Sequence, residues 1–287
     1  MAIFRNRKQR TDILERPEYG WIWKPLLALV IIYLLVCIGL GIWWSQRPAS
    51  FDVEQAVAAQ RGEAAATPAA RGAVSIATLM TVIETLLDKP GGYLRNDVAP
   101  PGLWLDNMPS WEYGVLNQAR LMAQAAPQLS SGNAAKLEEA VEALSTDSHD
   151  WLYPSAERRY AKSVQALDAY LLQLSDTQTN GFAPQGSGLA RWLEMVSQRF
   201  DALTQRLSAS IDDPETLREL GVDEDELPEP APWHHIDNTF FEARGDAWAL
   251  MHLLKGIQRD YADVLTQAGS TGNVERLIAE LDMAQRR

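Results

Sequence analysis

Two regimes of hydrophobic patterning divide the chain. From Pro25 to Trp44 no side chain is charged, and the core of that run reads Leu26-Leu27-Ala28-Leu29-Val30-Ile31-Ile32-Tyr33-Leu34-Leu35-Val36. About 20 uncharged residues, rising 1.5 Å each, match the ~30 Å hydrocarbon core of a bilayer. Trp21 and Trp23 stand at one end and Trp43 and Trp44 at the other, where amphipathic indoles prefer the headgroup layers. The pattern predicts a transmembrane helix over residues 25–44. A buried soluble helix is the weaker alternative, because such helices rarely stay apolar all round for so long. A cleaved signal peptide is another, but the run exceeds the usual ~7–15-residue signal core and no small-x-small site follows Trp44.

After residue 73 the apolar positions recur at helical spacing. Ile76, Met80, Ile83 and Leu87 form one stripe, which stops before Pro90-Gly91-Gly92. Ser110 is placed to cap a helix through Trp111, Val115, Leu116 and Ala119, with Glu112 in its first turn and Pro127 at its end. Asn133 opens a short helix with Leu137, Val141 and Leu144. Tyr160, Val164, Leu167, Leu171 and Leu174 are spaced 4, 3, 4, 3, and Leu189, Leu193, Val196, Phe200, Leu203 and Leu207 are spaced 4, 3, 4, 3, 4. Two heptad seams joined by a Gly/Pro/Asn-rich connection predict a long antiparallel hairpin, Ser155–Ser175 with Leu189–Ser210. Asp213-Pro214 starts a short helix that Gly221 ends. Thr239 and Glu242 have capping-box spacing ahead of a helix through Trp248, Leu254 and Leu265, which Gly269 would close. A last helix starts at Asn273. Strand-like alternation and internal repeats are not seen. The expected architecture is all-α: one N-terminal transmembrane helix, then a bundle of about seven helices.

Charge orients this arrangement. Arg5, Arg7, Lys8, Arg10, Arg16 and Lys24 precede the apolar run, and only Arg47 follows it closely. Basic residues are retained on the cytoplasmic side, so residues 1–24 are expected to be a cytoplasmic tail. Residues 45–72, rich in Ala, Pro and Gln, read as a flexible linker with a helical turn at 53–60, and residues 73–287 as a periplasmic helical domain. Beyond residue 24 the chain holds 20 basic and 35 acidic residues, a net −15. That argues against nucleic acid as a partner and against docking on anionic lipid. The single cysteine, Cys37, lies within the apolar run, so the exported part has to hold together by its core alone.

Candidate chemistry concentrates in the irregular stretch 90–109. Its Tyr93, Leu94, Leu103, Trp104, Leu105 and Met108 are expected to be buried, which argues for an ordered loop. Asn96, Asp97, Asp106 and Asn107 are turn formers or ligand contacts. A groove built from this stretch would present Tyr93, Arg95, Asn96, Asp97, Trp104, Asp106, Asn107, Trp111 and Glu112 as a binding site. A second candidate is His234, His235 and Asp237 with Glu242, Asp246 and His252, but zinc-site spacing is lacking. The acids of 222–232 lack calcium-loop spacing. No glycine-rich phosphate loop, nucleophile elbow or CxxC occurs, and neither a cofactor nor a catalytic residue is assigned.

The run Gly91-Gly92-Tyr93-Leu94-Arg95-Asn96-Asp97, continuing from Pro100 as Pro-Pro-Gly-Leu-Trp-Leu-Asp-Asn-Met-Pro-Ser-Trp-Glu-Tyr-Gly to Gly114, resembles the hallmark of a family of proteobacterial single-span inner-membrane proteins known only as a domain of unknown function. The resemblance covers the span and nearly all of the exported domain. It implies an envelope protein and carries over no catalytic residues. The leading expectation is a non-enzymatic inner-membrane-anchored scaffold or accessory protein with an envelope protein partner; its oligomeric state stays open. The alternatives are a cell-wall (glycan) hydrolase using Asp97, Asp106 or Glu112, and a small-ligand- or metal-binding envelope protein.

Overall fold

The computed structural model describes residues 20–62, 69–176, 181–210 and 236–286. These form ten α-helices and no strand: α1 Gly20–Trp44, α2 Val53–Arg61, α3 Ala73–Asp88, α4 Asn107–Leu129, α5 Ala135–Leu144, α6 Ala156–Asp176, α7 Ser187–Ser210, α8 Ile236–Asp260, α9 Ala262–Gln267 and α10 Thr271–Arg286. A one-turn 3₁₀ helix, Gly102–Trp104, interrupts the loop between α3 and α4. The expected helix at 213–221 and the acidic stretch 222–232 lie outside the described residues. Within α1, Trp23–Trp44 is long and apolar enough to cross a membrane, with a mean hydropathy of 2.8.

The centre of the bundle is the crossing of α4 over α8. Two glycines make the contact possible. A Cβ on Gly114 would stand 2.0 Å from the Glu242 carbonyl oxygen, and one on Gly245 would stand 2.0 Å from the Trp111 carbonyl oxygen. The backbones therefore touch, and the flanking Trp111 and Trp248 rings pack at 5.3 Å between centroids. Helix α3 lies against α8 and α6. Its Ile76, Leu79, Met80, Val82, Ile83 and Leu86 are all buried, so it is enclosed on nearly every side. Gly72 offers no side chain to cap it. Asp260, at the far end of α8, supplies the cap instead, accepting from Ser75 N at 2.7 Å and Ser75 Oγ at 2.6 Å.

Both heptad helices form, but they do not zip together. Helix α6 lays its apolar stripe on α5 and α3, whereas α7 packs on α4 and α8. A heptad seam specifies an apolar stripe, not the element that covers it, and here the larger apolar faces of α3, α4 and α8 win. The stripe on α7 is also rotated from its expected position: Trp192 is fully buried while Leu193 is on the surface. Two start signals shift as well. Helix α8 begins at Ile236, upstream of Thr239, so the capping-box pair lies inside the helix and Glu242 has other partners. Helix α4 begins at Asn107, capped by Asp106 Oδ1 accepting from Asn107 N at 2.9 Å, and it runs through Pro127 to Leu129. Pro109 sits in its first turn, where a missing N–H is harmless.

The first half of the expected linker is docked. Phe51 stacks on the His252 ring at 4.0 Å and 18°. Its backbone N–H donates to His252 Nε2 at 3.1 Å, and His252 Nδ1 donates to the Trp248 carbonyl at 2.8 Å. Helix α2 follows and packs on α3. Residues 63–68 lie outside the described residues. Burial pushes the His252 pKa down to about 4, and its accepting Nε2 requires the neutral ring. A histidine with a depressed folded pKa contributes stability above its unfolded value of ~6.5 and loses it as pH falls toward the folded value. Acidification from pH 6.5 to 4 is expected to remove up to about 3 kcal/mol through this residue. The check is thermal unfolding across that range: the His252→Gln variant should show a flatter pH slope than the parent.

Candidate functional site

The stretch between α3 and α4 is organised by one buried carboxylate. Pro90 ends the helical run, and Gly91 and Gly92, at φ +87° and +68°, turn the chain back across the start of α4. This brings residues 93–95 over Glu112, which is fully buried. Its oxygens accept from Leu94 N at 2.9 and 3.1 Å and from Arg95 N at 2.8 Å. Lys89 Nζ lies 2.6 Å from Glu112 Oε1, with both side chains out of solvent. The same ammonium donates to the Gly92 carbonyl at 2.5 Å. Burial raises the Glu112 pKa to about 7, against the pull of the Lys89 ammonium and the two amides. The acid thus neutralises a buried cation and satisfies the loop's inward-facing amides.

The other expected site residues fall into three groups. Tyr93 and Trp111 are buried: the Tyr93 hydroxyl donates to the Ser148 carbonyl at 3.1 Å and its ring meets Tyr160 edge-on at 5.4 Å. Burial raises the Tyr93 pKa far above its ordinary value. Asn96, also buried, donates to the Asp150 carbonyl and to Glu157 Oε2, both at 2.9 Å. Arg95 is half-buried and engaged, lying over the Tyr113 ring at 4.0 Å and donating to Ser148 Oγ at 3.0 Å and the Pro109 carbonyl at 3.3 Å. Asp97, Asp106 and Asn107 reach the surface or its edge. Burial, and then the nearby Glu157, raises the Asp97 pKa.

Trp104 and Leu103, expected inside, are more than half exposed. The reason is the seat of this loop. Leu105 and Pro101 stand about 4 Å from where a Gly41 Cβ would be, and Trp104 and Leu105 share a shallow recess with Cys37, Ile38 and Ile42 of α1. Gly91 lies against Trp44, whose ring would clash with a Cβ there at 2.7 Å. This part of the loop therefore packs on the last turns of the apolar helix, and Leu103 and Trp104 keep an open outward face.

A family model described as "Uncharacterized protein conserved in bacteria (DUF2333)" matches residues 16–287. The chain belongs to this family. Comparison with curated proteins and with solved structures finds no match.

A second polar cluster in this DUF2333 protein joins two acids of the second candidate to arginines that the sequence did not single out. Glu242 and Asp246, one turn apart on α8, meet Arg199 and Arg206 from α7. Arg199 Nη2 is 2.5 Å from Glu242 Oε1 and 2.9 Å from Asp246 Oδ2, and Arg206 Nη2 is 2.8 Å from Glu242 Oε2. Gln118 Nε2 donates to Asp246 Oδ1 at 2.9 Å. Burial pushes Asp246 up to about 6 against the pull of Arg199, whereas in Glu242 the two guanidinium groups overcome burial and hold the pKa below its usual value. The legible signal was Arg199 and Arg206 seven residues apart, two turns of one helix face. These carboxylates, weighed above as metal ligands, are occupied by guanidinium groups, and both His252 nitrogens are hydrogen-bonded. Among the described residues no group of three or more His, Cys, Asp or Glu is placed to hold a metal. His234 and His235 lie outside the described residues.

Proposed function

We propose that this DUF2333 protein is a membrane-anchored scaffold or accessory protein of the cell envelope, with its N-terminus in the cytoplasm and its helical domain in the periplasm. The observation that carries this reading is the seat of α1. The loop between α3 and α4 receives the end of α1 through Gly91, Pro101 and Leu105, and the crossover at Phe51 fastens the following residues to α8. A domain mounted this way holds one helical surface at a set height and angle to the membrane. That suits the presentation of a binding face to a protein partner, whereas an enzyme that must search for substrate gains from a loose tether. The basic residues before the span support the orientation. Alkaline phosphatase fused after Gly62 is expected to be active; an inactive fusion with a bright cytoplasmic reporter at the same site would reverse the topology.

A second reading, a cell-wall hydrolase, rests on Asp97, whose raised pKa is the kind of perturbation acid catalysts carry. The discriminating experiment is complementation of the deletion phenotype by Asp97→Asn and Asp106→Asn, near-isosteric changes; asparagine caps a helix as well as aspartate does, so α4 keeps its cap at position 106. Both variants are expected to rescue fully. Loss of rescue by a variant that accumulates at the normal level would favour the hydrolase.

A further inference from the structure

We infer that the domain itself enters the outer leaflet of the membrane, through an apolar surface formed by Val98, Leu103 and Trp104 beside the span and continued by Trp151, Leu152 and Tyr153. This rests on the reading of α1 as a membrane span.

The argument begins with the span. Described side chains from Trp23 to Val36 are exposed, but Cys37 is buried and Leu40, Gly41 and Trp44 are partly covered. These four positions, spaced 3, 1 and 3, form one stripe of the helix. The domain therefore descends beside α1 as far as Cys37. The bare apolar part, from Pro25, where the charge-free run begins, to Val36, measures only about 18 Å at 1.5 Å per residue. A hydrocarbon core of ~30 Å requires more. The level at which Pro101, Trp104 and Leu105 pack on α1 consequently lies within the outer leaflet, and the outward surface of that loop has to tolerate lipid.

Its composition meets this requirement. Val98 is 56% exposed, Leu103 57% and Trp104 55%, with no partner for the outward faces among the described residues. The neighbouring loop adds Trp151 at 56%, Leu152 at 65% and Tyr153 at 82%. The Asn96 side chain, two residues before Val98, donates to the carbonyl of Asp150, the residue before Trp151, so the two apolar runs leave from a common junction. Large aliphatic side chains mixed with tryptophan and tyrosine are the composition of a membrane interface. Arg158, stacked over the Tyr153 ring at 4.9 Å, sets a cation at the edge, at phosphate level. Because the chain beyond residue 24 is strongly acidic, the contact is apolar and needs no anionic lipid. Exposed apolar runs of this size otherwise mark a protein interface; continuity with the span favours lipid.

The test uses the full chain in phosphatidylcholine vesicles, in a Cys37→Ala background, with a single cysteine carrying a polarity-sensitive fluorophore. Labels replace Val98, Trp104 or Leu152, all exposed, so folding is preserved. A label at Leu35 reports the span. A label at Arg191, on the first turns of α7 near Leu129 and so at the opposite end of α4 from the loop, reports the aqueous side. The expected result is blue-shifted emission at 98, 104 and 152, quenched by nitroxide-bearing lipids as the Leu35 label is, with the Arg191 label unquenched. Aqueous emission at 98, 104 and 152 alongside a quenched Leu35 label would overturn the inference and leave the span intact. Blue-shifted labels that lipid nitroxides do not reach would also overturn it, by placing a second copy or a protein partner on the surface. An unquenched Leu35 label would remove the span reading, and the inference with it.

Discussion

Gly245→Ala is expected to lower the unfolding free energy by on the order of 3 kcal/mol, which for a domain of this size is roughly 6–12 °C in Tm. Alanine is ordinarily the better residue inside a helix, by about 0.5–1 kcal/mol. The sign reverses here because the added methyl would stand 2.0 Å from the Trp111 carbonyl oxygen. A backbone carbonyl inside α4 cannot rotate away, so the helices must part, and the packing of Trp111 on Trp248 loosens with them. Gly114→Ala should behave alike, since it meets the Glu242 carbonyl from the other side. Gly272→Ala, where nothing lies within 4 Å, is the control and should be neutral or mildly stabilising. Urea or thermal unfolding of the detergent-solubilised chain gives the comparison. Equal effects at Gly245 and Gly272 would refute the close crossing.

The Lys89–Glu112 pair gives the second large effect, and its signature is the sign of a pH slope. Removing one partner of a buried ion pair costs about 3–5 kcal/mol, because the survivor is left charged in the interior. Lys89→Met strands the Glu112 carboxylate, whose pKa of about 7 then rises further. A carboxyl whose folded pKa lies above its unfolded one gains stability as pH falls toward the unfolded value. Lys89→Met should therefore be least stable near pH 8 and recover toward pH 5. Glu112→Gln strands the ammonium instead and removes the carboxyl that titrates, so it should be destabilised without that recovery at low pH. The double variant should be milder than the sum of the singles, since the amide oxygen can still accept from Leu94 or Arg95. Parallel pH slopes for the two single variants would show that the pair is not coupled as described.

The long apolar helix was readable because its signal needs no partner: an uncharged run bounded by tryptophans specifies the helix by itself. Helices with strong stripes, such as the one through Tyr160 and Leu167, were readable for a related reason. What the stripes could not reveal was which surfaces they meet. That choice depends on shape in three dimensions, as the Gly114–Gly245 contact illustrates, and neither glycine signals a crossing when read alone. Start signals misled where a stronger cap lay nearby; Asp106 precedes Ser110 and takes its place. The candidate loop was legible as ordered, but the burial of Leu103 and Trp104 was misjudged because hydrophobicity alone does not say whether the fold supplies a surface to cover a side chain. Lys89 was missed since a lone lysine before Pro90 reads as a solvated helix end, and only the fold brings Glu112 beneath it.

The crossing of α4 and α8 also sets an order of events. The hydrogen bond from Phe51 to His252 joins positions 201 residues apart, and the Ser75–Asp260 cap joins positions 185 apart. Ribosomes deliver α1 first and α8 nearly last, so α3, α4 and the loop between them emerge with their main packing surface still unsynthesised. Long-range pairings of this kind cannot form until the intervening chain is present. During synthesis the nascent domain is therefore incompletely folded, with its tryptophans still uncovered, until the sequence around residue 260 has emerged. A premature stop anywhere before α8 leaves that intermediate as the final product, with the faces of α3 and α4 that α8 would cover permanently open.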